Sequence, residues 1–493
     1  MRRSLIALVS ILALTTLVVS CRNSGPEKAQ SAGTTEQEAD ATTSETAADT
    51  GEEAKGEEGA EGDADRAVAP ARIEAAAEAK GRKAPTPNAP AAPPAGWQSE
   101  QVWNAARNDW EPAVATDPSS NRAYELTTRY GGPKACQQCP DPAIIFRSSS
   151  DGGATWSGDS FLCACRGTHA QNDPVIAVSN SGAIYAVFMN DYNPGVSFTK
   201  STDHGATWST PIALKGKGIS FSDKPWMAIS PNGQDVYVAF NSSDSYIVSS
   251  HDGGSTFSAR TKTNSDSLYW FAEGGAVAPN GSVYFSESAE NQNETGPVKL
   301  AVVKSSNGGS SWTTTFVDTS QQQPACTVPS CPGDFLGAQA SLDVDSAGKI
   351  LLAYAANNAA GANKSLYVRT STDGVAWSAR TDVGQNAGDN GFPSVEAGTT
   401  AGDFRVAWQD NRNGASAYNT WYTKTTNGGS TWSTAIRLSD LGSGAPYKTA
   451  NGYAFPFGDY LDIAVTSTGT NIVIWGEGPN YVGPGGTWST RGA

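Results

Sequence analysis

Seven acidic side chains recur at one kind of place in this chain. Asp109, Glu111, Asp173, Asp223, Glu273, Asp389 and Asp459 each stand at or shortly before a short apolar run, such as Pro174-Val-Ile-Ala-Val178 or Leu461-Asp-Ile-Ala-Val465. Aromatic residues gather at the same positions: Trp226, Tyr269, Trp270, Tyr453, Phe455 and Phe457. Rings beside carboxylates are what a sugar-binding site uses, because the ring offers an apolar face next to polar groups. Two carboxylates roughly 5 to 10 Å apart would suit cleavage of a glycosidic bond, and Asp173, Asp223 and Glu273 are candidates for that pair. The plainer reading is that these acids cap strand starts and accept bonds from loop amides. Arg129, Arg166 and Arg412 lie on connecting segments near the same positions and could grip a carboxylate, with Arg412 equally placed to pair with Asp410. Trp226, Trp270, Asp223, Glu273 and Asp459, with these three arginines, make up the expected ligand-binding set. Other hydrolase signals are missing: there is no G-x-S-x-G, no H-E-x-x-H and no phosphate-binding glycine loop. Of the three histidines, His169 stands alone, and His204 and His251 lie in or beside turns.

These residues must be positioned by strands. Seven apolar runs begin at Pro112, Pro174, Pro225, Gly275, Ala340, Pro393 and Leu461, and most are followed by a polar turn and a second apolar run such as Asp235-Val-Tyr-Val-Ala-Phe240. Short apolar runs between turn signals are the mark of buried strands, and no long helical periodicity occurs after residue 96. A third signal repeats as well. Ser201-Thr-Asp203-His-Gly205-Ala-Thr207-Trp208 reads as a tight turn in which Asp bonds its own backbone, Gly takes positive φ and Trp anchors the far end. The same pattern places Asp151 with Trp156, Asp252 with Phe257, Asn307 with Trp312, Asp373 with Trp377 (one residue shorter) and Asn427 with Trp432. From Trp156 to Trp432 the closing aromatics are 49 to 65 residues apart, the period of a propeller array.

The six turns resemble the Asp box (S-x-D-x-G-x-x-W, the BNR repeat) of sialidases and their relatives, a family that includes non-catalytic members and other glycosidases. The resemblance implies a β-propeller in which each box joins the third and fourth strands of a blade, on the face away from the active site. A sialidase site also implies three arginines on the substrate carboxylate, a Tyr nucleophile with a Glu partner, and an acid/base Asp. Here Trp110-Glu111-Pro112 occupies the stretch that would carry the first of those arginines, so Trp110 stands in its place. Sialidases are six-bladed, whereas this chain carries seven inner strands. Thr487-Trp488 resembles the third strand Thr420-Trp421, after which the given sequence ends. Residues 97–103 resemble the strand that follows a box. The expectation is therefore an all-β, seven-bladed propeller of four-stranded blades spanning 97–493, with residues 97–103 closing blade seven.

Upstream, Met1-Arg2-Arg3 and an apolar run from Leu5 to Val19 read as a signal segment, residues 1–20. Val18-Val19-Ser20-Cys21 resembles a bacterial lipobox, which implies lipid on Cys21, a membrane partner, and placement in the cell envelope at the outer membrane or surface. Residues 21–96 are rich in Ala, Glu, Thr, Gly and Pro, with almost no aromatic or β-branched apolar residues, and read as a disordered tether. Residues 22–96 hold fifteen Asp/Glu against eight Lys/Arg, which leaves the propeller near −10 of the chain's −15 and argues against nucleic acid. Cys136, Cys139, Cys163, Cys165, Cys326 and Cys331 form an even set, suited to disulfides in an exported domain. Cys326 and Cys331 are close enough to shut one small loop. The other four lie on two loops of one face that could cross-link, with a four-Cys zinc site as the rival. No cofactor is required by these residues, although calcium at the channel mouth would fit the acids. The function that emerges is a membrane-anchored glycan- or protein-binding surface module, with a glycoside hydrolase using top-face carboxylates as the alternative.

Overall fold

A computed structural model describes residues 91–103, 108–191, 195–214, 219, 222–292, 296–322, 338–413, 417–440, 445–446, 448–450, 453–455, 460–477 and 486–493. Cys21, the signal segment, the tether up to residue 90, Cys326, Cys331, Phe457 and Asp459 lie outside them, as do the side chains of Tyr453 and Phe455. The described chain forms seven four-stranded antiparallel blades. Their innermost strands are Asn108–Thr116, Gln171–Val178, Asp223–Ile229, Tyr269–Val277, Ala340–Val344, Asn390–Ala397 and Leu461–Val465, which define blades 1 to 7 in chain order. Blade 7 takes its outermost strand from the N-terminal side: Gln101–Val102 pairs with Gly486–Gly492, with Val102 opposite Trp488, and Trp97 bridges Gly492.

The core lies between blades as well as within them. Alternate side chains of one strand face opposite neighbours: Phe240 of blade 3 packs with Tyr185 and Val187 of blade 2, while Ala239 and Ile247 pack with Phe285 of blade 4. A strand covered on both sides this way needs continuous apolar sequence rather than alternation, as in Ile350–Ala356, which is buried throughout.

The boxes are the joints of this ring. In the second, the Ser201 hydroxyl donates to Asp203 at 2.7 Å and accepts the Gly205 amide at 2.9 Å, while Asp203 accepts the Thr207 amide at 2.9 Å and the Thr207 hydroxyl at 2.6 Å. The Asp151 and Asp252 turns repeat this bonding, and the Asn307 and Asn427 turns substitute an amide for the carboxylate. The bonds from Thr207 hold the Asp203 carboxyl down at about 2. Gly205 has φ of 86°, and its α-carbon lies against the Phe146 ring of blade 1. Trp208 then meets the same ring edge-on at 5.3 Å between centroids. Phe257 on Phe198 and Trp312 on Tyr237 continue the pattern from blade to blade.

Candidate functional site

Box turns and the turns between first and second strands share one face. The N-terminal ends of the inner strands therefore open on the other, as the alternating strand directions require. Five inner strands carry an irregularity there, the one in blade 4 between Ala272 and Gly274 on either side of Glu273. The register slips between Trp110 and Ala113, Asn172 and Val175, Asp223 and Trp226, and Gly391 and Ser394. Inside each of the other four one residue before a proline has positive φ: Glu111 (54°), Asp173 (51°), Lys224 (43°) and Phe392 (49°). A non-glycine residue pays about 1–2 kcal/mol for that conformation, and a bulge of this kind re-aims a side chain.

Side chains at the mouth tie neighbouring blades together. Glu111 Oε2 accepts the Asp173 amide at 2.8 Å, Glu273 Oε2 accepts the Ala340 amide at 2.7 Å, and Gln339 Oε1 accepts the Phe392 amide at 2.9 Å. Each bond ties one blade to the next, so Glu111 and Glu273 do cap strand starts. Burial pushes the Glu273 carboxyl up to about 8, offset in part by the Ser288 hydroxyl and the Ala340 amide. Lys224 Nζ of blade 3 lies 4.8 Å from the ring centre of Tyr460, which immediately precedes the inner strand of blade 7, and 3.9 Å from Asp173 Oδ1. Blades 3 and 7 are three steps apart on a seven-membered ring, so this pair spans the lumen. Beneath it a cavity of about 290 Å³ runs down the axis, lined among others by Trp226, Asp343, Glu396 and Asp462. Asp343 accepts the Ala397 amide at 2.7 Å and Asp462 the Val114 amide at 2.9 Å, a second tier of ties between blades. Burial raises Asp343 and Asp462 each to about 6.

The remaining expected residues are placed as follows. Arg129 grips Asp109 with two bonds of 2.6 and 2.9 Å and also reaches Asp159, which Arg147 pairs at 2.6 Å. Arg412 pairs with Asp410 at 2.6 Å and stacks 3.7 Å above Trp421. Arg166 is exposed. Asp389 pairs with the buried Lys364 at 2.9 Å. Trp270 is 1% exposed and donates its indole N–H to Asp266 at 2.8 Å, so it offers no ring face to a ligand. Asp223 is buried and faces blade 4. Trp110 is buried edge-on to Tyr130. The loops bearing cysteines are not cross-linked: Cys136 bonds Cys139 and Cys163 bonds Cys165, because each pair already has its α-carbons 5.0 and 5.2 Å apart, within disulfide reach.

Sequence reasoning missed Lys224, Tyr460, Tyr130 and Asn172. The Tyr130 hydroxyl accepts from Asn172 Nδ2 at 2.9 Å and points at Glu111 Oε1 at 3.5 Å. A signal for the mouth did exist: Glu111-Pro, Asp173-Pro, Lys224-Pro and Phe392-Pro recur at equivalent strand positions. Among the described residues no three His, Cys, Asp or Glu side chains converge as metal ligands.

No protein-family model matches the chain. No curated protein matches it either. Several solved structures are similar to it. One is the Hadza microbial sialidase Hz136, at 12% identity over 71% of this chain and 73% of the other, with a TM-score of 0.44. Another is the NanB sialidase from Streptococcus pneumoniae, at 11% identity over 80% and 70%, with a TM-score of 0.42. A third is a polysaccharide lyase, an ulvan lyase bound to -[GlcA(1-4)Rha3S]-, at 13% identity over 80% and 94%, with a TM-score of 0.46.

Proposed function

We propose that this propeller is the ligand-binding module of an envelope lipoprotein, and that its top face takes a neutral glycan rather than cleaving a sialoside. The observation that carries this is the Lys224–Tyr460 pair across the lumen, which sets a cation and an aromatic ring together at the channel mouth, beside Asp173. Tyr130, Asn172, Asp173 and Tyr460 offer that face hydroxyl, amide, carboxylate and ring surface, the groups that recognise sugar hydroxyls. Arg129 and Arg412 are committed to Asp109 and Asp410, so neither is set to neutralise a sialic acid carboxylate. The propeller's net −10 opposes such a substrate and nucleic acid alike. A lipid on Cys21 would hold the module at the membrane on the acidic tether of residues 21–96, at the outer membrane or surface.

One observation favours the hydrolase alternative. A Tyr130 hydroxyl aimed at Glu111 is the arrangement that activates a tyrosine nucleophile. Calorimetric titration with neutral oligosaccharides, beside a fluorogenic sialoside assay, separates the two. Binding without turnover, weakened at least about tenfold in Asp173→Ala and Tyr460→Ala, is expected. Turnover by the parent that vanishes in Tyr130→Phe would replace the binding reading with a hydrolase.

A further inference from the structure

The seam between blades 3 and 4 holds two side chains, Asn241 and Glu287, with buried polar atoms that the packing leaves unsatisfied. Asn241 is opposite Asp223 on one side and Ser245 on the other, so all three side chains leave the same face of blade 3. That face is the one covered by blade 4, since Ala239 and Ile247 on it pack with Phe285. Ser245 donates its hydroxyl to Glu287 Oε1 at 2.7 Å, which brings the blade 4 carboxylate into the same space. Asn241 and Glu287 are both 0% exposed. Neither Oδ1 nor Nδ2 of Asn241 has a hydrogen-bond partner, and neither does Glu287 Oε2. An unmade bond at a buried polar atom costs about 1–3 kcal/mol, so three together call for an occupant.

The geometry points to a buried site for a hard divalent cation, calcium or magnesium, between Asn241 Oδ1, Glu287 Oε2, Ser245 Oγ and the Asp223 carboxylate. Oxygen donors from carboxylate, amide and hydroxyl are the set such ions take, and they keep water in the remaining positions. A water kept on the ion would accept from Asn241 Nδ2, which is otherwise unpaired. The apolar layer of Ala239, Ile247 and Phe285 directly beneath excludes bulk solvent, and a cation or a proton would neutralise the charge of Glu287 there. Burial, against the bond from the Ser245 hydroxyl, pushes the Glu287 carboxyl up to about 8, so without an ion the group takes a proton.

That alternative makes the test decisive. The full chain, stripped with EDTA, is melted with calcium or magnesium added back, and its bound metal is assayed by elemental analysis. The expected result is a rise in Tm of about 3 °C or more with millimolar ion, abolished in Glu287→Gln. In Asn241→Asp, which adds charge at nearly constant shape, half-saturation falls at least about tenfold in calcium concentration. No rise in the parent overturns the proposal in favour of trapped water and a protonated Glu287. A rise as large in Glu287→Gln as in the parent overturns it too, because the ion then binds elsewhere. Should Glu287→Gln fail to fold, an unchanged or higher half-saturation in Asn241→Asp counts against the site.

Discussion

A single glycine in a box has two jobs, and they can be separated by substitution. Gly205 needs positive φ for the turn, and it also lets Phe146 of the preceding blade press against the backbone. Gly348, in the turn Asp345–Lys349, has nearly the same φ of 84° but no heavy atom within 4 Å of where a Cβ would sit. Gly348→Ala should therefore cost only the left-handed penalty of about 1–2 kcal/mol. Gly205→Ala should cost that plus about 1–3 kcal/mol of overpacking, because a Cβ would overlap the Phe146 ring. Urea unfolding of the two variants checks this. Equal losses would mean that the ring simply moves aside and that the box does not lock neighbouring blades.

At the scale of the strand, the closing segment decides whether the ring holds. Residues 97–103 make few backbone bonds but carry two large anchors. Trp97 is 7% exposed, stands edge-on to Tyr422 at 4.9 Å and covers Gly492, while Trp103 lies beneath the Arg147 guanidinium at 4.7 Å. The chain is tied in already before Trp97, where the Ala91 amide meets the Asp440 carbonyl at 2.9 Å. Trp97→Ala should cost about 3–5 kcal/mol, and a chain starting at residue 108 should melt far lower still, because it bares the Gly486–Gly492 edge. A truncated chain with the parent's Tm would show that the segment closes nothing. These elements were legible because their signals are local: apolar runs of five or six residues, Asp-x-Gly turns and a strand-like run with no blade of its own. The mouth was less legible, for reasons that lie in particular residues. Trp270 alternates with Tyr269 on its strand, yet both are buried, since neighbouring blades cover both faces. Lys224 meets Tyr460 only because ring closure brings blade 7 opposite blade 3, a contact between residues 236 positions apart in sequence. The Asp109–Arg129 pair follows from register, which places the two directly opposite each other on adjacent strands.

For the whole molecule, the distribution of carboxylates sets an unusual dependence of stability on pH. Burial raises the acids in the blade seams and around the channel: Glu125, Glu273 and Glu287 rise to about 8, Glu477 to about 7, and Asp343 and Asp462 to about 6. A carboxyl raised in the folded state binds its proton more tightly there than in the unfolded chain. Its contribution is complete below the unfolded value of about 4 and is lost as pH rises through the folded value. The box aspartates act in the opposite direction. Asp151 and Asp203 are each held down to about 2, Asp203 by its bonds from Thr207 and Asp151 by bonds from Thr155 that outweigh its burial. What they contribute is present above about pH 4 and lost as pH falls toward 2. The two groups meet near pH 4 to 5; the −15 formal charge at neutrality adds self-repulsion on the alkaline side, and the 34 Lys and Arg charges add it on the acid side once the carboxylates are protonated. In EDTA, so that no cation substitutes for the proton, Tm should peak near pH 4 to 5, decline steadily to pH 8 and fall steeply below pH 3. Glu273→Gln and Glu287→Gln together should flatten the alkaline limb by removing two of the largest contributors without changing shape. A parent whose Tm rises between pH 5 and 8 would show that these seams are hydrated well enough to carry charge, and that burial does not govern their protonation.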